Sequence, residues 1–139
     1  MKKVFCYTIG VTRGNPGPAG LAVVVTDEKS KSLDEVVELI GNTSQDLASY
    51  QAVMVGLETL LRQFGAETKN IDVEILLDNE SVRAQLGHEL IVESPGLVPM
   101  FMAIHNLKIA NFSSIRFVMA EAEKAKGLKQ KVETVLDGK

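Results

Sequence analysis

Cysteine is nearly absent: Cys6 is the single one in 139 residues. One thiol cannot form an internal disulfide, so stability must come from an apolar core, and the composition suits a reducing cytoplasm. Long apolar runs are missing too, with nothing near the roughly 18 residues a membrane helix needs. Met1-Lys2-Lys3 leads into only a short apolar stretch, without the hydrophobic region or cleavage site of a secretory signal. A surplus of basic charge is also lacking. Fifteen Lys and Arg stand against 18 Asp and Glu, for a net charge of -3 and a pI near 5.4. That balance excludes a surface that traps nucleic acid all over, although a local basic patch remains compatible with it. No internal repeat, linker or low-complexity segment interrupts the chain. The two histidines, His88 and His105, have no ligand spacing to another His, Cys or acid.

What is present is an ordinary globular composition, 45% hydrophobic and 24% charged, over a length that fits one domain, 1–139. Val4 to Ile9 is short, β-prone and closed by Gly10. Gly14-Asn15-Pro16-Gly17-Pro18 follows as a turn that neither a helix nor a central strand should tolerate. Gly20 to Thr26 and Glu35 to Ile40 read as the next two strands, and short links make the three an antiparallel meander. The period then changes. Leu47, Tyr50, Met54, Leu57, Leu61 and Phe64 recur at helical spacing, with Thr43 or Ser44 to cap the start and Gly65 to end it. Ile71, Val73, Ile75 and Leu77 alternate with Asp72 and Glu74 in a fourth strand that stops at Asp78. A short helix from about Asn79 to Leu86 comes next. Beyond Pro95-Gly96 a helix carries Leu97, Phe101, Ile104 and Lys108 on one face. Ile115, Phe117 and Met119 mark a fifth strand, and a last helix from about Ala120 turns Ala125, Leu128, Val132 and Val135 inward. The order β-β-β-α-β-α-α-β-α predicts an α/β fold with one mixed five-stranded sheet and helices on both faces.

Arg13-Gly14-Asn15-Pro16-Gly17-Pro18-Ala19-Gly20 after a first strand resembles the ribonuclease H family, in its reverse-transcriptase-like branch. Ala48, Tyr50, Ala52, Gly56, Leu57 and Glu58 fit that family's pattern on the long helix. Asp78 followed by Val82, Gln85, Leu86 and Gly87 is similar to its third acidic segment, and Pro95-Gly96-Leu97 lies where a P-x-L element is usual. The similarity covers nearly the whole chain in order. It implies a ribonuclease H-like fold, with the fourth strand beside the first, and hydrolysis of the RNA strand of RNA–DNA hybrids by two divalent cations that four carboxylates hold about 3.5–4 Å from each other. Hard oxygen ligands suit Mg²⁺, and a cluster of acids is costly without it.

The resemblance also shows where this chain departs from the family. Ile9 takes the position of the first-strand aspartate and Ser49 that of the helix glutamate. Asp78 is retained. Ala125-Lys126-Gly127-Leu128 matches the fourth segment, which puts Lys126 in the acid's place. Ile9, Ser49, Asp78 and Lys126 are therefore expected to cluster, with the Lys126 ammonium standing where a metal ion would. Two roles stay open for Asp78, a surviving metal ligand or the N-cap of the helix behind it, and one carboxylate holds Mg²⁺ poorly. No metal or cofactor is expected unless substitute acids rebuild the site, in which case Mg²⁺ or Mn²⁺ would serve.

Candidate contacts to nucleic acid are Arg13, Gly14 and Asn15 in the loop, and Gln45, whose amide could reach a 2′-hydroxyl. The loop reads equally well as a rigid strand connection, since it lacks the ending of a phosphate-binding loop. Asp46 would repel phosphate and suits the positive end of a helix. Glu121, Glu123 and Glu133 dilute Lys124, Lys126, Lys129 and Lys131 into a solvated face. Three functions follow as expectations. The first is a non-catalytic module that binds RNA–DNA hybrid or RNA weakly, the second an active hydrolase using Asp46, Glu80, Glu121 or Glu123, and the third a structural partner pairing through an edge strand.

Overall fold

The computed structural model of the chain describes residues 1–138. Five strands form one sheet in the order β3-β2-β1-β4-β5. β1 (Lys2–Thr12), β2 (Gly17–Asp27) and β3 (Ser32–Thr43) are the antiparallel meander, while β4 (Ile71–Leu77) and β5 (Ser114–Met119) add parallel strands on the far side of β1. The sheet, its order and its mixed sense agree with the expectation from sequence. All three meander strands run longer than their apolar segments, because pairing continues through polar ends: Thr12 pairs with Ala19, and Gly17 with Thr43. Pro18 therefore lies inside β2, contrary to the turn assignment. Its carbonyl accepts from the Arg13 N–H at 2.8 Å. A strand residue's N–H and C=O point the same way, so the N–H that proline lacks would face the loop, and no bond to β3 is lost.

Four α-helices cover the two faces. α1 (Gln45–Phe64) starts at Ser44, whose Oγ accepts from the Leu47 N–H at 3.2 Å, and ends at Gly65, whose N–H donates to the Leu61 carbonyl. A 3-10 helix, Gly65–Asn70, unforeseen in the sequence pattern, leads into β4. α2 (Glu80–Leu86), α3 (Val98–Asn111) and α4 (Ala122–Leu136) complete the chain. No helix among the described residues is long and apolar enough to cross a membrane.

Alternation along the strands builds two cores. Val4 and Cys6 of β1, with Leu21, Val23 and Val25 of β2, face α1 and pack with Tyr50, Val53, Leu57 and Leu60. Ile9 of β1 and Ala22 of β2 face the other way, against Ala125, Leu128 and Val132 of α4. Each fully buried aliphatic side chain contributes about 1.5–3 kcal/mol. The thiol of Cys6 belongs to the larger core, where burial pushes its pKa far up and leaves it inert.

Two glycines set how closely the helices approach. A Cβ on Gly10 would stand 2.5 Å from the Ala48 carbonyl carbon and 2.7 Å from the Ser49 nitrogen, so the start of α1 lies directly on β1. On the opposite face a Cβ on Gly20 would meet Val132 of α4 at 2.7 Å. The Gly10 contact is with backbone, which cannot swing aside. We expect Gly10→Ala to lower stability by about 2–3 kcal/mol in chemical denaturation, since overpacking forces the helix off the strand. An unchanged unfolding midpoint would show that α1 slides freely on β1.

Candidate functional site

The parallel register of β1 and β4, with Tyr7 opposite Leu76, brings the ends of the two strands together. The first turns of α1 lie over this end, and α4 crosses the other face. Between them is a cleft of about 470 Å³ lined by Gly10, Val11, Gln45, Asp78, Asn79, Glu80, Ser81 and Lys129.

The expected set of four is placed as follows. Ile9 precedes Gly10 of the cleft but turns away from it, 0% exposed in the α4 core. Ser49 is buried, and its hydroxyl accepts from Asn79 Nδ2 at 3.3 Å and Gln45 Nε2 at 3.4 Å. Asp78 lines the cleft with its side chain 15% exposed, and Lys129 Nζ stands 2.8 Å from its Oδ2. The ammonium expected from Lys126 is thus supplied by Lys129. Lys126 lines a neighbouring hollow with Asp78, Met119, Ala125 and Lys129. Helical rotation explains the correction. At about 100° per residue, Lys129 lies roughly 40° from Ala125 on the buried stripe and Lys126 roughly 100°. Asp78 is not the cap of α2 either. Asn79 has that role, its Oδ1 accepting from the Val82 N–H at 3.2 Å.

Asn79 also knots the cleft together. Its Nδ2 donates to Asp46 Oδ1 at 2.8 Å as well as to Ser49. Gln45 Nε2 donates to the Gly10 carbonyl at 2.8 Å, and Thr12 Oγ1 donates to Gln45 Oε1 at 3.1 Å. Glu80 is held by Arg83, which lowers the carboxyl pKa and, together with Glu89, raises that of the guanidinium. Beneath Asp46, burial and the carboxylate's charge push the Tyr50 phenol to about 12, and its hydroxyl donates to Gln85.

The loop candidates are likewise engaged within the fold. Arg13 reaches α4, with Nη2 2.9 Å from Glu133 and 2.6 Å from Asp137, and these partners raise its pKa. Gly14 adopts a φ of 92° ahead of a cis Asn15–Pro16 bond. Asn15 Oδ1 accepts from the Gln45 N–H at 2.9 Å, so this asparagine caps α1 rather than projecting outward.

The residues present do not fit a two-cation site. Among the described residues no three of His, Cys, Asp and Glu come together to hold a metal ion. One carboxylate of the cleft is paired with an ammonium, one with a guanidinium and one with an amide. Lys129 and Asn79 were missed from sequence. The rotation argument and the Asp-Asn-Glu run before α2 are the signals that could have revealed them.

The architecture is that of a ribonuclease H-like protein. LC11-RNase H1, isolated from compost by a metagenomic approach, superposes with a TM-score of 0.91 at 36% identity, over 99% of this chain and 98% of that one. The structure of LC11-RNase H1 in complex with an RNA/DNA hybrid matches at a TM-score of 0.86 and 35% identity, over 91% of each chain. In sequence, ribonuclease HI of Halobacterium salinarum is 32% identical over 95 residues, 68% of this chain and 45% of that protein. The bifunctional protein Rv2228c of Mycobacterium tuberculosis is 32% identical over 101 residues, 72% of this chain. The chain spans about a quarter (26%) of that mycobacterial protein's length. No protein-family profile matches. The chain belongs to the ribonuclease H family.

Asn79→Ala removes a helix cap and the donor to Asp46 together. We expect a loss of about 1–2 kcal/mol in urea unfolding, most of it from the cap. A loss below about 0.3 kcal/mol would mean that the Asn79 knot is not formed in solution.

Proposed function

We propose that the chain is a non-hydrolysing member of the ribonuclease H family, a binding module built on a nuclease fold. The observation that carries this reading is Ile9. The position that resemblance assigns to the first metal-bridging carboxylate holds an apolar side chain, fully buried beneath α4. No oxygen ligand can be offered from there, and a two-metal mechanism needs donors that clamp both ions. The candidate substitute acids are engaged or lie elsewhere: Asp46 is bonded by Asn79 and Glu80 by Arg83, Glu123 lies in a hollow with Tyr7 and Lys124, and neither Glu121 nor Glu123 lines the cleft.

The first ligand to test is the kind held by the LC11 enzyme, an RNA–DNA hybrid. Arg13 is paired with Glu133 and Asp137, so phosphate must displace carboxylates to reach it, and net charge is negative. Affinity should therefore be weak, and it should fall with salt in proportion to the few phosphates contacted.

Incubation with labelled hybrid under Mg²⁺ or Mn²⁺, beside LC11-RNase H1 as the active control, is expected to give no cleavage products. Titration at two salt concentrations should show weak, salt-sensitive binding of hybrid. Cleavage that EDTA stops and Asp78→Asn abolishes would overturn the non-hydrolysing reading.

A further inference from the structure

Each carboxylate grouped around the cleft already has a donor from the chain itself. Lys129 serves Asp78, Asn79 serves Asp46 and Ser49, Gln45 serves the Gly10 carbonyl, and Arg83 serves both oxygens of Glu80 at 3.0 and 2.6 Å. Of these donors only Lys129 comes from α4, across the cleft from the rest. Its stem leaves the helix one residue after buried Leu128, and its side chain is 49% exposed while that of Asp78 is 15% exposed. A carboxylate so far withdrawn from water needs a counter-charge. In this fold the counter-charge is covalently tethered and always present.

From this geometry we infer that Lys129 is a built-in cation of the cleft, which satisfies Asp78 and excludes divalent ions from it. The inference rests on the non-hydrolysing reading for its meaning, but its test involves no substrate. Mg²⁺ would have to displace an ammonium at contact distance, repelled by it on approach, and would gain one carboxylate in return. Lys126, in the hollow beside Asp78 and Lys129, lies near enough to act as a reserve.

The test is paramagnetic broadening of backbone amide signals by Mn²⁺ at fixed ionic strength. In the unmutated protein the amides of Gly10, Asp78 and Asn79 should broaden no more than those beside exposed surface carboxylates such as Glu67 and Glu93. Lys129→Met should make the cleft amides broaden selectively, at about tenfold lower Mn²⁺, because an opposing unit charge has been removed. Where Lys126 moves in as the reserve, the double variant Lys126→Met/Lys129→Met should show the gain instead. Lys129→Arg should behave like the unmutated chain, and retained amide dispersion identifies each variant as folded. Selective broadening in the unmutated protein overturns the inference. So does an identical Mn²⁺ response in the unmutated chain and in both methionine variants. Hybrid cleavage alongside an Mn²⁺-silent cleft would instead strike the functional reading and leave this one standing.

Discussion

Strand β1 lies at the middle of the sheet and is covered on both faces, with α1 resting on Gly10 at backbone contact and α4 on Ile9. Every feature of the cleft is downstream of that double coverage. Gly10 has no side chain, so the first turns of α1 settle low enough for Gln45 to reach the Gly10 carbonyl and for Ser49 to meet Asn79. On the other face Ile9 fills the gap under Ala125, Leu128 and Val132, and this seat fixes the rotation of α4. Rotation in turn decides which lysine meets Asp78. A packing constraint thus becomes an electrostatic one.

On the non-hydrolysing reading proposed above, the same scaffold suits two different chemistries at one place. Four carboxylates brought together repel one another, and only bound cations make such an arrangement favourable. The present residues reach neutrality without them. An isoleucine gains burial energy where an acid would incur desolvation, a serine accepts two hydrogen bonds, and the remaining aspartate is paired with an ammonium. The gain from that pair is modest, because taking an ion pair partly out of water offsets much of its attraction. Its effect lies more in specifying the cleft than in stabilising it. Leaving Asp78 unpaired would cost more than pairing it returns.

Loop and helix termini follow the same logic of internal engagement. Arg13 spans from the β1–β2 loop to the end of α4, Asn15 to the start of α1, and Lys131 from α4 to Glu35 of β3. Half-exposed pairs of this kind each contribute little on their own. Together they use basic side chains that would otherwise offer phosphate contacts, in keeping with a chain whose net charge is negative.

How much of this was legible beforehand depended on the range of the interaction. Strand and helix identities follow from hydrophobic period, a local property, so the β-β-β-α-β-α-α-β-α order and a mixed sheet could be read directly, while the place of β4 beside β1 came with the family resemblance. Resemblance sets Ile9, Ser49 and Asp78 against three of the family's acid positions because matching residues flank each of them closely. Strand ends could not be read in advance, because backbone pairing extends past the apolar residues that reveal a strand; Pro18 inside β2 is the example. The cap of α2 fell on Asn79 rather than Asp78 because β4 ends at Leu77 and the helix begins only at Glu80, one residue later than the apolar pattern implies. Four lysines lie along α4 between Glu123 and Glu133, and the string of letters treats them alike. Only the seating of Ala125, Leu128 and Val132 on Ile9 and Ala22 turns Lys129 toward Asp78, Lys124 over the Tyr7 ring and Lys131 toward Glu35. The partners of Arg13 lie 120 and 124 positions further along the chain. Sequence alone determined which elements form, since hydrophobic period is written in neighbouring residues. Tertiary structure decided which groups meet in the cleft, because a charge finds its partner through space and helix rotation, neither of which has a local signature.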